Sequence, residues 1–195
     1  MIESEWFQYL TISLAVLLLV SLYFNFKFAK IIKKHHVNQN ILIKNAYFNP
    51  VTELPNRMNV ELVIGEQIDR ALRHNQEFLL TAIKITNYHD VKVRSQKLAD
   101  EFMLEASNRV LDSVRDEDIV SQISDDGFLI VFNEYLQEEN YGIIANRIKK
   151  AFEDEPHINT KYHIEFNIAL GNTKYPNDGT DAALLIDRAV HNALK

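Results

Sequence analysis

Between Ile119 and Phe132 two short β-rich runs flank Asp126-Gly127, and no other stretch limits the fold as strongly. Asp-Gly between strand-like segments is a hairpin signal, because the turn must fit the right-handed twist of the strands. Gly127 is expected to adopt the positive φ of a tight primed turn, and Asp126 tolerates left-handed geometry better than most residues. The tip then presents Ser124, Asp125 and Asp126 together on a rigid turn. Taken locally, such a turn either carries a site or only reverses the chain.

A second constraint comes from the first residues. From Trp6 to Phe26 the chain is almost continuously apolar, the length a helix needs to cross a bilayer's hydrocarbon core. Trp6 and Tyr9 at one end and Tyr23 and Phe24 at the other suit the membrane interfaces. Lys27, Lys30, Lys33 and Lys34 follow, whereas Glu3 and Glu5 precede, which orients the N-terminus outside and the remainder in the cytoplasm. The basic n-region and small-residue cleavage site of a secretory signal are missing. The expected organisation is an extracytoplasmic tail over 1–5, a transmembrane helix over 6–26, a linker helix over 27–48 and a globular domain over 49–195. Ile32, His36 and Ile43 in the linker fit either a short coiled coil that makes a homodimer or a monomeric helix.

Charge and cysteine content remove whole classes of function. A net charge of −6 argues against nucleic acid as a partner. No cysteine is present, which excludes disulfides, thiolate catalysis and cysteine-ligated zinc. His35 and His36 are adjacent and therefore face different sides of a helix, as interfacial residues rather than a metal pair.

Within the globular part, Asn49 to Arg57 is a breaker-rich loop with Asn56 placed to cap a helix. Val60, Val63, Ile64, Ile68, Ala71 and Leu72 recur at helical spacing, and Phe78 to Ile85 reads as a buried strand. Leu98, Phe102, Ala106, Val110 and Val114 mark one face of a second long helix. After the hairpin, Tyr141, Ile144, Ile148 and Phe152 mark a third helix, closed by Glu153 to Pro156. Tyr162, Ile164, Phe166, Ile168 and Leu170 alternate as a half-buried strand, and Tyr175 to Gly179 turns into a last helix capped by Thr180. This order predicts an α+β sandwich, helices flanking a mainly antiparallel central sheet, preceded by the single transmembrane helix.

Three segments carry a family resemblance. Asn49-Pro50-Val51-Thr52-Glu53-Leu54-Pro55-Asn56-Arg57 resembles the Asp-Pro-Leu-Thr-Gly-Leu-Pro-Asn-Arg opening of GGDEF domains, the diguanylate cyclase family. Tyr175-Pro176-Asn177-Asp178-Gly179 resembles the late Tyr-Pro-x-Asp-Gly segment, and Ser124-Asp125-Asp126-Gly127-Phe128 stands where the signature Gly-Gly-Asp/Glu-Glu-Phe is expected. The resemblance runs in order from about Ala46 to Lys195 and implies a nucleotidyl-cyclase-like sandwich.

Active relatives join two GTP molecules into cyclic di-GMP with two divalent metals, following two-metal phosphoryl-transfer logic. Carried over by position, the first-strand metal Asp is Lys84, the second signature Gly is Asp125 and the fourth-position Glu is Gly127. Asp126 alone keeps a metal-binding identity, so no catalytic residue is assigned, and Mg²⁺ is expected only with residual cyclase activity. The Lys84 ammonium is expected to approach Asp126 as a counter-charge in place of metal. Lys92 stands where the family has an Asn, Asp100 matches a guanine-reading Asp across one gap, and Lys195 matches a phosphate-binding Lys. Arg115-Asp116-Glu117-Asp118 fits the family's Arg-x-x-Asp inhibitory motif, which implies cyclic di-GMP at Arg115 and Asp118, with Arg147 as a second contact.

The resemblance therefore implies a catalytically inactive, membrane-anchored GGDEF module of the bacterial inner membrane. It would act by binding another membrane protein, a second GGDEF protein or cyclic di-GMP. Two other classes stay open. One is a weak or unusual nucleotide-processing enzyme with metal on Asp125 and Asp126. The other is a structural subunit of a membrane complex, with Ser13 and Ser21 as small polar helix contacts.

Overall fold

A computed structural model describes residues 13–14, 17–28, 30, 44, 46–132, 141–153 and 164–195. The chain divides into two units, Met1–Asn45 and Ala46–Lys195. In the first, residues 17–28 are helical, and Leu17, Leu18, Leu19, Leu22, Tyr23, Phe24 and Phe26 are all exposed. Among the described residues no helix is long and apolar enough to cross a membrane. The predicted span over 6–26 lies partly, and the linker over 27–48 largely, outside the described residues.

The second unit begins with α1 (Arg57–His74), whose Asn56 Oδ1 accepts the Asn59 N–H at 3.1 Å, the cap expected there. Val60, Ile64, Gln67 and Ala71 form its buried stripe, while Leu72 is exposed. β1 (Phe78–Ile85) follows, then a short helix α2 (Tyr88–Arg94) that the apolar spacing does not announce, and α3 (Gln96–Asp112). Ser95 separates the two helices in extended conformation and caps α3. β2 (Ile119–Ser124) and β3 (Gly127–Val131) make the hairpin, and α4 (Tyr141–Ala151), β4 (Ile168–Tyr175) and α5 (Ala182–Asn192) complete the unit. Residues 154–156, expected to close the third helix, lie outside the described residues.

The four strands form one sheet in the order β2-β3-β1-β4, every pairing antiparallel. β1 is central, with helices on both sides, which explains why it reads as a buried strand, mostly apolar apart from Thr81 and Lys84. Leu79, Ile83, Phe128 and Ile130 meet Ala99, Phe102, Ala106 and Ile148 on one face. Phe78, Leu80, Leu129 and Val131 meet Val60, Ile64, Leu185 and Ile186 on the other. Arg57 ties α1 to α5 through Asp187 at 2.7 Å and also bonds Glu61 at 2.8 Å. Its hydrogen bond to Asp187 raises its pKa above the ordinary arginine value.

Three local expectations are corrected. The last helix is capped by Asp181, whose Oδ1 accepts the Leu184 N–H at 3.1 Å, rather than by Thr180. The final strand starts at Ile168, where pairing with Ile85 begins, although Ile164 and Phe166 are buried as their alternation predicts. In front of it the Asn87 side chain takes the place of a neighbouring strand, donating to Glu165 O at 2.7 Å and accepting from Asn167 N at 3.1 Å. Finally, no described glycine has positive φ. The hairpin loop is Asp125-Asp126, closed by the Ser124–Gly127 pair, and a register irregularity between Gln122 and Ser124 supplies the extra twist.

Candidate functional site

The hairpin tip is seated against the end of β1. Lys84 pairs with Gly127 in the ladder, and Ile85 N donates to Asp126 O at 2.8 Å. Gly127 does not use a positive φ, and a Cβ there would lie 2.7 Å from Ser124 Oγ, a contact that rotation of the serine hydroxyl relieves. With Lys84 and the tip fixed in this way, Lys84 Nζ reaches Asp126 Oδ2 at 2.6 Å, as the sequence reading expects. Ser124 Oγ donates to the other carboxylate oxygen of Asp126 at 2.9 Å.

Asp125 has its own cation. Lys92 Nζ, from α2, lies 2.7 Å from Asp125 Oδ2 and 5.5 Å from the centre of the Tyr88 ring. The Lys92 pKa is raised above the ordinary lysine value, chiefly by the hydrogen bond to Asp125. The backbone of the tip is held by Gln122, whose Nε2 donates to Ser124 O at 3.1 Å and Asp125 O at 3.4 Å. The Gln122 Oε1 is buried and accepts from Thr52 Oγ1 at 2.7 Å. Asn49 Oδ1 in turn accepts from Val51 N and Thr52 N, at 2.8 and 3.1 Å, so the opening loop is folded onto the hairpin.

Between loop and hairpin lies a cavity of about 300 Å³, lined in part by Asn49, Tyr88, Lys92, Asp100, Gln122 and Asp125. Asp100 Oδ1 accepts from Gln96 Nε2 at 2.7 Å within it. The sequence-matched Asp100 and Lys92 are therefore brought together with Asp125, whereas Lys195 is exposed at the chain's end.

The second set of candidate residues is arranged differently. Asp118 Oδ2 accepts from the backbone N–H of Arg115 at 3.1 Å, and Asp118 N donates back to Arg115 O at 3.1 Å. The Arg115 guanidinium sits 3.6 Å from Glu117, an exposed and loose pairing. Arg147 is exposed on α4 and makes no hydrogen bond or ion pair among the described residues. The structure thus gathers Arg115, Glu117 and Asp118 in one turn and adds no bond to Arg147.

Thr52, Gln122, Asn87 and the Lys92–Asp125 contact escape a sequence reading, because their partners are far along the chain. Gly171 had a visible signal: a glycine inside an alternating strand often marks close backbone approach. A Cβ at Gly171 would lie 2.2 Å from Ala189 O and 2.2 Å from Ala193 N, so α5 rests directly on β4 there.

An antiparallel sheet between helices, with a tight hairpin against the end of a central strand, gives this domain a GGDEF-like α+β fold. Residues 46–195 match the model of the family described as "Diguanylate cyclase, GGDEF domain", and the chain belongs to that family. The bifunctional diguanylate cyclase/cyclic di-GMP phosphodiesterase MucR of Pseudomonas aeruginosa is 24% identical over 156 residues, covering 78% of this chain and 22% of that protein. This chain thus spans about a fifth of the length of that curated relative. Among solved structures, the coiled coil and GGDEF domain of DgcB from Caulobacter crescentus, in complex with c-di-GMP, superposes with a TM-score of 0.70 at 9% identity, covering 85% of this chain and 88% of that one. Diguanylate cyclase SiaD of Pseudomonas aeruginosa, in complex with its activator SiaC, gives 0.68 at 18% identity, covering 94% and 72%.

The two metals that the family implies would need several oxygen donors at the hairpin tip and the end of β1. Lys84 stands where the family resemblance implies a first-strand metal ligand, and both oxygens of Asp126 already have partners. Among the described residues no three His, Cys, Asp or Glu side chains cluster to hold an ion. The donor set does not fit a two-metal centre.

Proposed function

We propose that this chain is a non-catalytic GGDEF module that acts by binding within cyclic di-GMP signalling. The observation that carries this reading is the 2.6 Å contact between Lys84 and Asp126, an ammonium standing where cyclase chemistry needs a divalent cation. Asp125 adds side-chain bulk at the tip, in a position where the family has glycine, and is itself bound to Lys92.

The apolar stretch over 6–26 anchors the module in a bacterial inner membrane, with residues 46–195 in the cytoplasm. Support comes from the exposed leucine and aromatic side chains of residues 17–28, followed by the lysines. The partner is a membrane protein or a second GGDEF chain, with cyclic di-GMP as the small-molecule ligand at the Arg115–Asp118 turn. Relatives with a bound dinucleotide and with a bound protein activator lend support to both kinds of ligand.

The deciding experiment incubates the full chain with GTP and Mg²⁺ or Mn²⁺ and measures cyclic di-GMP by chromatography. No product is expected, and metal-dependent turnover would refute the proposal. Calorimetric titration with cyclic di-GMP then separates the ligands. Saturable binding that Arg115→Ala abolishes makes the chain a dinucleotide receptor, and absence of binding leaves a protein partner.

A further inference from the structure

We infer that Lys84 and Lys92 are built-in counter-cations that close the hairpin tip to divalent metal and set its shape without one. Asp125 and Asp126 are consecutive carboxylates on a two-residue loop, the kind of oxygen pair that hard cations favour. Left bare, they would repel each other and attract a cation. Each instead has its own ammonium, at 2.7 Å for Lys92–Asp125 and 2.6 Å for Lys84–Asp126.

The two lysines arrive from different elements, β1 and α2, so a single shift of the chain does not withdraw both. Lys84 and Asp126 are each only about a quarter exposed, so their pairing is partly shielded from water. The remaining oxygen of Asp126 is taken by Ser124 Oγ, and the carboxylate of Asp100, which lines the same cavity, accepts from Gln96. A divalent ion would have to displace one ammonium and sit beside the other, against like charge and with too few oxygen donors. Gln122 meanwhile holds the tip backbone through neutral hydrogen bonds. A partner that meets this hairpin therefore meets a preformed, charge-balanced surface, indifferent to Mg²⁺ and to chelator.

This inference rests on the non-catalytic reading of the same site, and its test reads metal directly. Mn²⁺ is titrated into the full chain in detergent, and the free aqueous Mn²⁺ signal is followed by electron paramagnetic resonance. Wild type should leave the signal unchanged at micromolar Mn²⁺. A folded Lys84→Asp variant, checked by circular dichroism, should capture Mn²⁺ roughly tenfold or more tightly than wild type, since an oxygen donor replaces the ammonium. Adding Asp126→Asn should remove the gain. If Lys84→Asp does not fold, Lys84→Ser carries the same comparison.

Micromolar Mn²⁺ capture by wild type, lost with Asp126→Asn, overturns the inference. So does a folded Lys84 variant that binds Mn²⁺ no better than wild type. Capture by wild type without GTP turnover would overturn this inference alone, whereas turnover overturns the proposed function.

Discussion

Lys84 Nζ lies 2.6 Å from Asp126 Oδ2, joining the end of the central strand to the tip of the hairpin. The residues are 42 apart in sequence, from positions 84 and 126, and meet because the ladder sets Lys84 opposite Gly127. The pair is partly buried, with side chains 27% and 26% exposed, and so lies between a solvated surface bridge and a buried one.

Lys84→Met should destabilise the domain by about 1–2 kcal/mol, because Asp126 keeps its charge and loses its cation. Urea denaturation checks the midpoint. Adding Asp126→Asn should recover part of the loss, since the stranded charge goes too, and a purely additive double variant would argue that the two groups do not interact.

Thr52→Val should cost about 1–3 kcal/mol. The variant keeps the shape of the side chain and leaves the buried Gln122 Oε1 without the donor that lies at 2.7 Å. Amide hydrogen exchange at Ser124 to Gly127 should rise with it, because Gln122 also holds the carbonyls of Ser124 and Asp125.

Gly171→Ala should be the most damaging of the glycine-to-alanine changes, since only there would the new methyl strike backbone. Its Cβ would lie 2.2 Å from backbone atoms of Ala189 and Ala193, so α5 must lift from the sheet, at about 3 kcal/mol or more. Thermal denaturation should show the loss, and an Ala variant that melts with wild type would contradict the packing described.

Lys92 should titrate above the ordinary lysine value, as followed by ¹³C NMR of its side chain, and Asp125→Asn should lower it toward that value. Its pKa is raised in the folded chain, first by the hydrogen bond to Asp125. The contact's contribution to stability is therefore complete below the unfolded lysine pKa of about 10.4. It is lost as pH rises through the higher folded value. The test window is alkaline.

Much of this protein was determined by the sequence itself, wherever the cause is local. The four-residue spacing of Leu98, Phe102, Ala106 and Val110, close to one helical turn, places them all in the core from α3, and Asn56 caps α1 through an N–H three residues away. The apolar run of β1 and the Asp-Gly pair announced the central strand and the hairpin, and Lys84 and Asp126 were readable as partners through family register. Tertiary structure alone decided what depends on distant groups. Thr52 finds Gln122 70 residues away, and Lys92 finds Asp125 33 residues away. Strand pairing, not alternation, sets the start of β4 at Ile168, and ladder pairing with Lys84, not a positive φ, places Gly127. Periodicity and capping act over one or two turns of chain and leave their mark in the sequence. Register, close approach and charge pairing depend on which segments the sheet brings together, and no local pattern along the chain marks those meetings.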